Sequence, residues 1–250
     1  YWRDWSSDVC SSDLGLGKGY KTIHLSADLP VGRGEVGNGY FGLGFLVCQD
    51  KAGTAGYSSS IFEGSLSYVT ALDPEKDNFF SVGFQAGLNQ NAIDLSKATW
   101  DSQWNGDSYD PSLPSREVIQ LQQFSYLDFN AGLLYYHVPD ENNSFSIGAA
   151  MQHIGSPNIS YFTETSTPLR RRITLHSSGE IALNKEHTSW FTPRALFMMQ
   201  GKQQEIMFGG YLKNKIQFKS RYTNYLKEAY FLLGGFYRWN DAFAVSTRFE

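Results

Sequence analysis

Strict alternation of side-chain character, segment after segment, constrains this chain most. In an extended chain successive side chains point to opposite faces. In Phe80-Ser81-Val82-Gly83-Phe84-Gln85-Ala86-Gly87-Leu88-Asn89 the even positions therefore form an oily face, and the odd positions a small, wettable one. The rhythm returns with Phe145, Ile147, Ala149 and Met151 set against Ser146, Gly148, Ala150 and Gln152. It recurs with Phe41, Leu43, Phe45 and Val47 set against Tyr40, Gly42 and Gly44. A transmembrane β-barrel needs one apolar face and one glycine-rich polar face on every strand. A soluble β-sandwich shares the alternation, so periodicity alone leaves both open.

Composition narrows the field. Aromatic residues make up 16% of the 250 residues and charged residues only 18%, below the roughly 25% usual for soluble domains. A net charge of -4 and a pI near 5.8 argue against a nucleic-acid partner. The richest apolar run, Ala229 to Tyr237, stops at Arg238. That is too short for a spanning helix, which takes about 20 residues, and suits a tilted spanning strand of about 9–11. The mean hydropathy of -0.37 is likewise too polar for a helical membrane protein.

Residues 3–14 break the pattern. Arg3-Asp-Trp-Ser-Ser-Asp-Val-Cys-Ser-Ser-Asp-Leu14 resembles one reading frame of a common short-read sequencing adapter. Positions 1–14 are accordingly read as an assembly artefact, and 15–250 as one β-barrel domain, incomplete at both ends. On that reading Cys10 is foreign and Cys48 stands alone, which leaves no disulfide, metal pair or redox motif. The end of the chain, Phe243 to Glu250, alternates without turn residues to close it.

Alternating runs punctuated by Gly, Pro, Asn and Asp predict twelve strands. They fall near 20–29, 38–48, 57–72, 78–90, 123–138, 143–154, 171–184, 188–200, 204–213, 215–225, 228–239 and 242–249. Turn-like links such as Asp73 to Asn78, Asp140 to Asn143, Gly201 to Gln203 and Lys213-Asn214 join antiparallel neighbours. Longer excursions at 91–120 and 155–170 interrupt this meander, and helices should be few. The expected architecture is all-β, an antiparallel up-and-down transmembrane barrel truncated at both ends. On strand 216–225, Lys219 and Arg221 share a face that must look inward.

Aromatic residues near strand ends suit two interfacial belts: Tyr20, Tyr57, Tyr68, Phe79, Tyr126, Tyr135, Tyr136, Trp190, Phe191, Tyr222, Tyr225, Tyr237 and Trp239. In a soluble fold the same rings would fill a core or pair across strands.

Chemistry-bearing motifs are weak. Gly37-Asn-Gly39-Tyr-Phe-Gly42 has the spacing of a dinucleotide-binding turn, but a strand follows it where a helix is required. No Gly-x-Ser-x-Gly elbow is present, and His24, His137, His153, His176 and His187 lack metal-ligand spacing. A rim hydrolase would draw on His153 or His176 with Ser177 or Ser178. Ordinary hydrogen-bonded histidines account for the same residues more simply. The loop Trp100 to Asp110 carries Asp101, Asp107 and Asp110, which miss the EF-hand pattern; sugar or protein binding competes there with tryptophan packing. Arg170-Arg171-Arg172 could meet lipid phosphates, line a pore mouth or simply solvate a strand end.

Several short motifs occur in a distinctive order. They are Ala27-Asp-Leu-Pro30, Gly42-Leu-Gly-Phe45 and Asp50-Lys-Ala-Gly53, then Ser81 to Gln90, Trp100 with Gln103, and Asp128-Phe-Asn-Ala-Gly-Leu133. Gly148 with His153-Ile154 and Pro157, Pro193 with Gln200-Gly201, and Gly235 to Ala242 complete the series. Over about residues 18–249 the chain resembles the PorP/SprF family of Bacteroidetes outer-membrane proteins. The resemblance implies a non-enzymatic barrel of the type IX secretion and gliding-motility machinery. It also implies partners: outer-membrane lipids, other secretion subunits, and secreted or surface-anchored cargo, with no nucleic acid. No catalytic, cofactor-binding or metal residues are carried over from the family. An outer-membrane diffusion porin or hydrophobic-solute channel is the alternative, although its glycine-rich inner faces show few charges.

Overall fold

Each strand in this chain lies beside its sequence neighbour. The computed structural model describes residues 4–12, 20–36, 38–53, 55–95, 98–116, 121–217 and 228–250. These form a 12-stranded antiparallel sheet in chain order. Its strands are β1 (Asp4–Ser12), β2 (Tyr20–Val36), β3 (Gly39–Ala52), β4 (Tyr57–Ala71), β5 (Asn78–Ala92) and β6 (Gln123–Asp140). They continue with β7 (Asn143–Gln152), β8 (Arg172–Ala182), β9 (Ser189–Gln200), β10 (Gln203–Gln217), β11 (Glu228–Arg238) and β12 (Ala242–Phe249). Among the described residues helix is limited to 3-10 conformation, in the turn Asp101–Gln103 and at Leu95. No helix there is long and apolar enough to cross a membrane, which has no bearing on crossing by strands.

The all-β, up-and-down architecture matches expectation, and one boundary is corrected. Lys213-Asn214 is not a turn: β10 runs straight through it to Gln217. Both residues are satisfied in the ladder, Lys213 by Glu180 at 3.1 Å and Asn214 by Ser189 at 2.7 Å. Without glycine, proline or a free polar group, nothing there breaks the strand. The expected inward placement of Lys219 and Arg221 lies outside the described residues. Residues 4–12, expected to be foreign, form β1 on β2, from Asp4 opposite Asp28 to Ser12 opposite Tyr20. A backbone ladder of this kind asks little of the side chains that supply it. Within the described residues β1 and β12 are not paired with each other, so the sheet is open between them.

The connections fall into two classes by end. Links 37–38, 72–77, 141–142 and 183–188 lie at one end, and 53–56, 93–122, 153–171, 201–202 and 239–241 at the other. Both long excursions thus share one end, the asymmetry of outer-membrane barrels.

Register fixes the faces, because paired residues share a side. Phe84 opposite Leu66 and Ala131, and Ala131 opposite Met151, continue one apolar surface. Ser65, Gln85 and Asn130 continue the polar one. Burial is inverted relative to a soluble sandwich. The apolar side is open, with Leu127 at 61% and Phe45 at 51% exposure, while Asp128 and Asn130 are buried at 2% and 8%. Among the described residues the buried hydrophobics are only Ala71, Trp190 and Leu232. Leaving such a surface in water would forfeit roughly 25 cal/mol per Å² of apolar area. The sandwich alternative therefore fails, because its core would have to be the side that is exposed here.

Candidate functional site: outer face and inner wall

The outer face is built for hydrocarbon. On β2 it presents Ile23, Leu25, Ala27, Leu29 and Val31; β3 adds Phe41, Leu43, Phe45 and Val47. From β4 to β12 its positions within the described strands carry no Asp, Glu, Lys or Arg apart from Asp140, which lies past a register shift at the very end of β6. A Lys or Arg at mid-membrane would cost roughly 2–4 kcal/mol. Lys21 and Lys51 are opposite each other on this face, at the long-loop end, where amine heads reach water.

The aromatic belt is only partly as expected. At the short-turn end the outer face carries Phe41 with Tyr68 (ring centroids 5.0 Å apart), Phe80 beside Tyr135, Phe145, Phe191, and Phe231 with Phe249 (5.0 Å). Tyr237 lies outward at the opposite end, 5.7 Å from Phe208. By register, however, Tyr57, Phe79, Tyr126, Tyr136 and Trp190 belong to the inner face. Position near a strand end was visible in the sequence; the face required the register.

On the inner wall a chain of polar side chains crosses β4 to β7. Glu63 accepts a hydrogen bond from Gln85 at 2.8 Å, and Gln85 accepts one from Asn130 at 3.0 Å. Asn130 accepts the backbone N–H of His153 at 3.0 Å, and the His153 ring donates to Asp128 at 2.7 Å. Glu63 lies across Gly87, where a Cβ would sit 2.5 Å from its Cγ, so only glycine admits that path. Gln85, Asp128, Asn130 and His153 all belong to the motifs that carried the family resemblance. Their sequence spacing gave no sign that they form one network. The network's last member, His153, leaves the strand with φ 57°.

Two long loops meet above this network. The Leu121 N–H donates to the Tyr161 carbonyl at 3.0 Å, and the Tyr161 ring packs edge-on against Phe124 at 4.7 Å. Burial, helped by nearby Tyr57, pushes the Tyr161 hydroxyl above the ordinary phenol range. Gln103, buried, organises the 93–122 loop: it accepts from the Trp100 N–H and the Tyr109 hydroxyl, both at 3.2 Å, and donates to the Leu113 carbonyl at 3.0 Å.

The remaining candidates separate. His176 is inward and Ser177 outward, so they cannot act together; Ser178 is bound to Ser146 at 2.7 Å. With His153 committed to Asp128, no nucleophile–base pair is assembled at these residues. Asp101 and Asp107 are exposed, whereas Asp110 is tied to Ser112. Among the described residues no group of three or more metal-ligating side chains converges. Gly39 and Gly42 lie within β3, which excludes the dinucleotide turn; Gly37 is outside the described residues. The arginines brace the β7–β8 loop: Arg171 donates to the Ile154 carbonyl at 3.0 Å, Arg172 to Gln152, and the Arg170 carbonyl accepts from Gln200 at 2.9 Å.

The inner wall is also polarised, contrary to the expectation of few charges. Asp28, Asp50, Glu63 and Asp128 line β2 to β6, while Arg172, Arg194, Lys213, Lys215, Arg238 and Arg248 line β8 to β12, where Glu180 and Glu205 are the acids among the described side chains of the strands.

Comparison with known proteins agrees with the family resemblance. No curated protein matches the chain. Among solved structures it is similar to BamA from Haemophilus ducreyi lacking POTRA domains 1-3, at 10% identity and a TM-score of 0.48. That alignment covers 94% of this chain and 52% of BamA, so the chain spans about half the length of that protein. The model of the family described as type IX secretion system membrane protein PorP/SprF matches residues 13–250. With nearly its whole length matched and an apolar exterior around a polar wall, the chain belongs to the PorP/SprF family of type IX secretion membrane proteins.

Proposed function

We propose that this chain is a non-enzymatic barrel of the outer membrane, acting as a scaffold for other type IX secretion subunits and for secreted or surface-anchored cargo. The inverted burial carries this reading: hydrophobic residues face out and the hydrogen-bonded network faces in. In lipid the free edges of β1 and β12 must be covered, since an unpaired backbone group there costs several kcal/mol. The long-loop cap offers proteins a polar, structured surface. Deleting the gene should trap a particular cargo inside the cell, and complementation should release it. Normal secretion of every type IX cargo in the deletion strain would sink the proposal.

A diffusion porin is the second reading, favoured by the polarised inner wall. It requires steady conductance in planar bilayers, and the scaffold reading requires none.

We further propose that residues 1–14 are foreign to the native domain. The family match begins at residue 13. Sequencing the genomic locus across this junction tests it; recovery of codons for Arg3 to Leu14 would refute it.

A further inference from the structure

Between β8 and β11 the inner wall holds a cavity of about 610 Å³ that the secretion reading leaves unused. Its lining includes His176, Arg194, Leu196, Met207, Tyr211 and Phe236, and no carboxylate. Arg194 lies midway along β9 rather than at either rim. Its guanidinium stands 5.5 Å from the centre of the Tyr211 ring, and Phe236 meets Tyr211 edge-on at 5.0 Å. The Tyr211 ring lies flat over Gly234, where a Cβ would come within 2.4 Å of it. Arg194 and the two rings thus form a row running across three strands, β9 to β11.

Among the described side chains, Glu180 and Glu205 of this half of the wall are engaged elsewhere. Glu180 pairs with Lys213 at 3.1 Å and Glu205 with Arg238 at 3.3 Å. Arg194 is left with an aromatic face but no counter-ion in its cavity. In the polar interior of a barrel a charged side chain is ordinary; what distinguishes Arg194 is that none of the residues lining its cavity is a carboxylate. A stacked guanidinium keeps its N–H edge available, and that edge grips an oxyanion with two parallel bonds. The volume falls within the roughly 300–1,000 Å³ of small-molecule sites.

We propose that this cavity binds a small organic monoanion with a flat apolar body, its carboxylate on Arg194 and its body against Tyr211 and Phe236. Release or retention of cargo is not needed for this site to work, so it stands apart from the secretion proposal. The test is a fluorescence titration of the purified full chain in lipid nanodiscs with 1-naphthoate, 1-naphthamide and 1-naphthylmethylammonium, against empty nanodiscs. Naphthoate should saturate, with the neutral amide at least about tenfold weaker and the cation weaker still. Arg194→Gln should remove about tenfold of naphthoate affinity while leaving the weak amide binding unchanged. Met207→Trp, which fills the cavity and keeps the charge, should weaken both. Retained heat-modifiability of each variant shows that it is folded. Equal binding of all three probes, or naphthoate affinity unmoved by Arg194→Gln and Met207→Trp, overturns the proposal.

Discussion

The His153 ring stands 2.7 Å from the carboxylate of Asp128, whose side chain is 3% exposed. His153 is the first residue beyond β7, and Asp128 belongs to the wall of β6. The pair therefore joins the 153–171 loop to the barrel at the point where the strand ends. Removing His153 would leave a buried carboxylate with its strongest partner gone. His153→Ala should destabilise the protein by about 2–4 kcal/mol, and Asp128→Ala added to it should cost far less than the two singles summed. Urea unfolding in lipid vesicles measures both; strict additivity would deny the coupling.

Gln103 should matter more to the long loop than its exposed neighbours. Three hydrogen bonds converge on its side chain, two accepted and one donated. Gln103→Ala should open 93–122 locally, by about 1–3 kcal/mol, with little change in global unfolding. Limited proteolysis of the protein in lipid vesicles reads this directly: cleavage within the loop should accelerate, whereas Asp107→Ala should leave it slow.

A third expectation concerns acid. Asp73, in the 72–77 turn, accepts from the Asn78 side chain at 2.6 Å and from the N–H groups of Asn78 and Asp77. The Asn78 side-chain bond, ahead of the backbone bonds, holds its pKa below the ordinary 3.8. A depressed carboxyl stabilises the fold above its unfolded value and loses that contribution as pH falls through the folded one. The gap in urea midpoint between wild type and Asp73→Asn should hence be constant above about pH 5 and shrink below pH 4. A gap that widened on acidification would reverse the sign and reject the assignment.

Much of this architecture was legible beforehand, for reasons visible in particular residues. Phe80 to Asn89 alternates without exception, and period two is geometric, so β5 and its faces followed from the sequence. Lys213-Asn214 misled because polar residues signal turns only where the ladder leaves them unsatisfied; Glu180 and Ser189, distant in sequence, satisfy them. The inner network was hidden for a similar cause. Gln85 and Asn130 are 45 residues apart, and only the register of β5 on β6 brings them together. The inward turn of Tyr126 and Trp190 likewise depends on pairing that no local pattern encodes.

One measurement addresses the central claim, that the oily face meets lipid. Phe84→Cys and Gln85→Cys, adjacent on β5 but on opposite faces, can each carry a bimane label in vesicles containing brominated acyl chains. The label at 84 should be strongly quenched by the brominated lipid and untouched by aqueous iodide, and the label at 85 should show the opposite. Equal quenching at both positions, or a label at 84 reached by iodide and not by lipid, would contradict the membrane-facing assignment.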